Sequence, residues 1–181
     1  MRAAVASLLL ATATTTAIGC GGAVVTCETF VHIVGGDFGR TADRLWWTLQ
    51  VEDIPATLRF NQLSVPPGFL EYRWAVDIDS DRNGQTDLSA AVINYTMVGA
   101  TAIETADVLS VARADLWEVT GETSRPIGDV DATLIDDTFR FEVAASAAPG
   151  LAVVSDRSQS TWTTFYRFGG GPLDQCEERW R

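Results

Sequence analysis

Hydrophobic and polar residues alternate along most of the chain, and a period of two predicts strands. Phe30, His32 and Val34 oppose Val31 and Ile33, until Gly35-Gly36 ends the pattern. After a polar connection from Asp37 to Asp43, Leu45, Trp47, Leu49 and Val51 alternate with Trp46, Thr48, Gln50 and Glu52, and Pro55 stops the strand. Thr57 to Phe60 starts another, and Pro66-Pro67-Gly68 is a turn signal. Leu70, Tyr72, Trp74, Val76 and Ile78 form the cleanest alternation. Leu88 to Val98 is apolar on both faces, as a central strand would be, and Gly99 closes it. Val108 to Val119 is a further strand and Gly121 to Pro126 a loop. Asp129 to Leu134 and Thr138 to Val143 flank a hairpin turn at Asp136-Asp137, with Phe139, Phe141 and Val143 facing the core. Leu151 to Val154 and Thr161 to Phe168 supply the last strands, and Gly169-Gly170-Gly171-Pro172 ends the ordered core. About eight to ten short strands without an amphipathic helix of usual length predict an all-β fold, an antiparallel β-sandwich of jelly-roll or immunoglobulin-like type.

The first residues read differently. Met1-Arg2 precedes an apolar run, Ala3 to Ala11, that fades into Thr12 to Thr16, which is the layout of a secretory signal over residues 1–19. Ala17-Ile18-Gly19-Cys20 resembles the bacterial lipobox, although Ala17 stands where leucine is usual, so cleavage near Ala13 or Ala17 without lipidation is the alternative. The resemblance implies a diacylated Cys20 at the new N-terminus, with a tether over residues 20–28; the length that remains fits a single domain over 29–181. The lipobox resemblance also implies a membrane partner held through acyl chains alone. Gly21 after the cysteine favours the outer membrane of a bacterial envelope under the family's sorting rule.

Cysteine count bears on the same question. Three cysteines leave an odd one in an exported protein, and lipidation of Cys20 leaves Cys27 and Cys176 as an even pair. A disulfide between them would tie the start of the domain to its end, with two separate thiols as the alternative.

Charge excludes one class of partner. The chain carries a formal charge of −11, and loss of residues 1–19 removes Arg2 and no acid, which brings it to −12. Such a surface repels phosphate, so nucleic acid is not a partner. Every basic residue is Arg, a compositional trait of GC-rich bacterial coding without mechanistic content.

Candidate chemistry concentrates in Asp77-Ile78-Asp79-Ser80-Asp81-Arg82-Asn83-Gly84-Gln85-Thr86-Asp87. Calcium takes six to eight oxygen ligands, which a short loop supplies when carboxylates recur at every second position and a glycine makes the sharp turn at the sixth. A loop led by Asp77 would set Arg82 at that turn, whereas one led by Asp79 sets Gly84 there. In the second register Asp79, Asp81 and Asn83 offer side-chain oxygens, Gln85 a carbonyl, and Asp87 a direct or water-mediated contact. Ala90 stands at the twelfth position, where a full calcium loop has glutamate, so Asp77 or a distant acid would have to complete the shell. The expected site is structural and weak, about 10⁻⁴ to 10⁻³ M. A solvated Asp/Asn/Gly turn holding no ion is the competing reading.

Tyr72-Arg73-Trp74-Ala75-Val76-Asp77-Ile78-Asp79-Ser80-Asp81 resembles a segment of exported bacterial β-sandwich domains related to family-9 carbohydrate-binding modules and DOMON-type domains. The order of Asp37 to Asp43, Leu45 to Val51, Leu116 to Val119, Ile127 to Leu134 and Phe139 to Val143 is similar too. The likeness spans Asp37 to Val143. It implies a jelly-roll-like sandwich with a glycan or surface-protein ligand, and it assigns no ligand-binding residue.

Other constellations are thin. His32 is the single histidine, so a His-based triad, a two-histidine zinc site and a bis-histidine haem all fail by count. Two carboxylates could serve a secreted hydrolase, but no pair stands out, and the chain reads as a non-enzyme. Trp46 lies among Thr48 and Gln50, which makes it the candidate for a ligand-stacking aromatic, against packing beneath a loop. The reading that emerges is a surface-anchored, non-enzymatic binding or interaction module with structural calcium. A carbohydrate-binding module and a hydrolase are its alternatives.

Overall fold

The computed structural model describes residues 27–55, 70–96, 113–168 and 175–181. The secretory segment, Cys20, the strand signal at Thr57 to Phe60, the turns at Pro66 to Gly68 and at Gly99, and the Gly169 to Pro172 run lie outside them. Among the described residues there are ten strands: β1 Ile33–Arg40, β2 Arg44–Val51, β3 Leu70–Ile78, β4 Leu88–Thr96, β5 Arg113–Thr120, β6 Thr123–Asp129, β7 Asp131–Ile135, β8 Thr138–Ala144, β9 Ser160–Phe168 and β10 Gln175–Trp180. They form two antiparallel sheets, one in the order β1-β2-β8-β7 and one in the order β10-β9-β3-β4-β5-β6. The fold is a β-sandwich, as the alternation predicts.

The inner faces carry the residues whose parity marked them. Leu45, Trp47, Leu49 and Val51 of β2 are buried against Tyr72, Trp74, Val76 and Ile78 of β3, with Phe139, Phe141 and Val143 of β8 beside them. Aromatic rings dominate this layer. Trp74 lies 4.9 Å from Phe139 and 5.8 Å from Tyr72, centroid to centroid. Three indoles are fully buried, and each finds an acceptor. Trp47 Nε1 donates to Ser160 Oγ at 2.9 Å, Trp74 Nε1 to the Phe30 carbonyl at 2.9 Å, and Trp162 Nε1 to the Thr48 carbonyl at 2.6 Å. These bonds cross between layers or to the leading segment, so they lock the two sheets in register as well as satisfying the rings.

Four local readings are corrected. Gly35-Gly36 does not end a strand: Thr29–Val31 is a 3₁₀ turn and β1 runs through the glycines to Arg40. A Cβ at Gly36 would sit 2.7 Å from Trp162 Nε1 and 2.9 Å from Trp180, and one at Gly39 would sit 2.0 Å from the Trp46 ring. These glycines mark close approach of indoles to backbone. Gly121 to Pro126 is mostly strand, because Gly121 takes φ +60° and turns the chain at once into β6. Pro126 is tolerated since β6 is an edge strand and its pairing with β5 is irregular at Leu116/Trp117. Leu151 to Val154 is not a strand; Pro149–Val153 is a 3₁₀ turn with proline at its start, where a missing N–H costs nothing. The chain also continues past the glycine run into β10, which carries Cys176.

Cys27 and Cys176 form a disulfide with Cα atoms 5.7 Å apart across 149 residues. It joins the leading segment to edge strand β10. The Asp136-Asp137 hairpin stands as read, with Asp136 at φ 51° between β7 and β8.

Candidate functional site

The acidic loop leaves the end of β3 and returns into β4, so the sandwich holds both of its ends. Asp87 N–H donates to the Ile78 carbonyl at 2.8 Å and Val119 N–H to the Asp87 carbonyl at 2.8 Å. Within the loop, Asp79 accepts from Asn83 N–H at 3.0 Å and Gly84 N–H at 2.8 Å. Asp81 accepts from Asn83 N–H at 3.1 Å, and Asn83 Oδ1 accepts from Gln85 N–H at 2.7 Å. Asp87 Oδ2 accepts from Ser80 N–H at 2.8 Å and Ser80 Oγ at 2.6 Å. These bonds bring one carboxylate oxygen each of Asp79, Asp81 and Asp87 within 4.8 Å of one another. Three like charges so close repel, and a divalent cation between them would relieve that.

Gly84 takes φ +87°, the turn expected of it in the register led by Asp79. Arg82 also takes a positive φ, 62°, a conformation that disfavours a residue with a Cβ. What offsets it is a clamp: Arg82 Nη2 donates to Asp156, to Ser155 Oγ at 3.1 Å and to Gln159 Oε1 at 3.3 Å. Gln159, buried, donates in turn to the Ser80 carbonyl at 3.0 Å, so the segment before β9 braces the loop from outside. Hydrogen bonds from Ser158, with the Arg82 charge in a smaller part, hold the Asp156 carboxyl below its ordinary range.

Asp77 lies apart from this cluster. β3 alternates, so Asp77 and Arg73 face away from the core on the outer side of the six-stranded sheet. Arg73 Nη2 donates to Asp77 Oδ1 at 2.7 Å and to Ser89 Oγ at 2.9 Å, and Nη1 donates to Thr163 Oγ1 at 2.9 Å. Ser89 Oγ and Thr163 Oγ1 donate to the two oxygens of Asp77 at 2.7 and 3.2 Å. Arg73, Asp77 and Ser89 of this network line a cleft of about 430 Å³ that the tip of the β5–β6 hairpin, Gly121 to Ser124, also lines. No signal in the sequence marks the cleft, because its residues come from β3, the acidic loop at Thr86, β4, β5, the Gly121–Glu122 turn and β6.

Trp46 lies on the outer face of the smaller sheet, over Gly39, and the Arg140 guanidinium carbon is 4.7 Å from its ring centroid. One face of the indole is thereby already taken by a cation of the same sheet. His32 Nδ1 lies 3.1 Å from Glu178 Oε2, a partnership between the leading segment and β10. Comparison with protein-family models, with curated proteins and with solved structures finds no match to this chain.

Proposed function

We propose that the chain is an exported, non-enzymatic β-sandwich module, anchored to the outer membrane through Cys20, whose loop from Asp79 to Asp87 holds a structural calcium ion. The observation that carries the ion is the convergence of Asp79, Asp81 and Asp87 within 4.8 Å at the end of a braced strand. Asn83 and the Gln85 carbonyl are the further oxygen donors. Asp77 is not one of them in this reading, since both its oxygens serve the Arg73 network. Water would fill the remaining positions, and few ligating charges give an affinity of about 10⁻⁴ to 10⁻³ M. The ion stiffens the loop and does no chemistry. The Cys27–Cys176 disulfide supports export, because such bonds persist in oxidising compartments.

Melting curves in calcium and in chelator test the ion. At a hundredfold excess over the dissociation constant the stabilisation is about 2.7 kcal/mol. Coincident curves, with Asp79→Ala and Asp81→Ala changing neither, would refute the site. Mass spectrometry of the mature N-terminus tests the anchor through the mass of acyl groups on Cys20.

A further inference from the structure

The cleft on the outer face of the six-stranded sheet has unspent hydrogen-bonding capacity, and it borders the ion loop only at Thr86. Trp117 lines it from β5, directly opposite Ser89 in the β4–β5 register. The Trp117 Nε1–H has no acceptor and almost no accessible surface of its own, so a ligand in the cleft meets it only once the indole turns toward it. That sets it apart from the three core indoles, all of which are satisfied. A guanidinium carries five N–H donors, and the bonds of Arg73 to Asp77, Ser89 and Thr163 use three of them. Arg73 lines the cleft with its side chain 26% exposed. Ser89 joins the two residues, accepting from Arg73 on one side and facing Trp117 on the other.

An acceptor-rich group such as a carboxylate meets these donors. A simple anion is nonetheless a poor fit, because the chain is strongly acidic and Glu122 stands on the cleft wall. A second group of positive charge resolves the conflict, since Glu122 is exposed and the bond that Asp77 Oδ2 accepts from Thr163 is long, 3.2 Å. Ile93, Val119 and the indole add apolar wall. The volume, about 430 Å³, suits a small molecule.

We propose that this cleft binds a zwitterion with an apolar body, an apolar α-amino acid. Its carboxylate is received by Arg73 and Trp117 Nε1, and its ammonium by Asp77 and Glu122. The assignment rests on reading the domain as a binding module and does not rest on the ion.

The test is saturation-transfer NMR and calorimetry on the whole mature protein, with leucine and phenylalanine at millimolar concentration, in calcium and in chelator. Binding of at least one amino acid is expected in both buffers. N-acetylphenylalanine, which lacks the ammonium, and phenylalaninamide, which lacks the carboxylate, should each bind roughly tenfold more weakly than phenylalanine. Trp117→Phe keeps the ring body and removes the N–H, so it should weaken binding roughly tenfold without lowering the melting temperature. Arg73→Lys, which keeps the charge beside Asp77 but not the whole set of bonds to Ser89 and Thr163, should also weaken binding roughly tenfold, with a modest fall in melting temperature. No transfer from any amino acid, equal binding of the truncated analogues, or unchanged affinity in Trp117→Phe would each overturn the assignment. A hexose that binds in place of the amino acids would overturn it as well. A calcium effect on melting without amino-acid binding would leave the ion reading standing and this one refuted.

Discussion

The two faces of the six-stranded sheet treat polar atoms in opposite ways. On the inner face Trp74 and Trp162 bury their rings completely, and their N–H groups end on carbonyls of the leading segment and of β2. On the outer face Arg73 and Asp77 sit half-buried in a network of hydroxyls, and Trp117 has an indole N–H without an acceptor. An unmet buried donor is costly, and folded interiors rarely keep one. The inner face therefore reads as structure, complete once the chain folds. The outer face keeps donors that only something other than the described residues can use.

Three experiments press on this contrast. The largest effect is expected from replacing both Cys27 and Cys176 with alanine, which releases the core-facing leading segment. A closed loop of 149 residues is worth about 5 kcal/mol in the chain-entropy model, read from urea midpoints. Retained stability would mean that the Phe30 and Trp74 contacts hold that segment unaided. A smaller, more pointed comparison pairs two equivalent changes. Trp47→Phe deprives Ser160 of its partner and should cost about 1 kcal/mol or more, whereas Trp117→Phe removes an unsatisfied donor and should cost nothing or stabilise. Equal losses in thermal melts would show that Trp117 Nε1 is satisfied in solution, and the contrast would collapse.

The smallest effect concerns acid. Asp156 is held below its ordinary range by Ser158 first and Arg82 to a lesser degree, so its folded form binds a proton less readily than the unfolded chain. Its contribution is present above the unfolded value of about 3.9 and is lost as pH falls through the lower folded value. With half of its side chain exposed, it should give only a shallow decline in melting temperature below pH 4, absent in Asp156→Asn. An equal decline in that variant would assign the acid sensitivity to other carboxylates.

Strands were legible where apolar residues alternate over a buried face, because pleating converts that period directly into an inside and an outside. β2, β3 and β8 follow from Leu45 to Val51, Tyr72 to Ile78 and Phe139 to Val143 alone. β1 was obscured since Gly36 and Gly39 make room for indoles that arrive from β9, β10 and β2, partners distant in sequence. β6 was obscured because an exposed edge strand has no apolar face to betray it; Thr123 to Asp129 is exposed at nearly every position. Pro149 to Val153 is apolar enough to imitate a strand, and its turn is bound by Arg40 from across the fold.

The two candidate sites divide along the same line. The sequence by itself determined the all-β class, the principal strands and the acidic loop from Asp79 to Asp87, because an i, i+2 series of carboxylates closing on a glycine is local chain geometry. Only the tertiary structure decided that Asp77 belongs with Arg73, Ser89 and Thr163 rather than with Asp79, since β3 ends at Ile78 and the loop turns Asp79 onto the N–H groups of Asn83 and Gly84. It alone decided the Arg82 clamp, the cover over Trp46 and the cleft beside Trp117. Each of these is set by strand order and register, which bring together side chains that the sequence keeps dozens of residues apart.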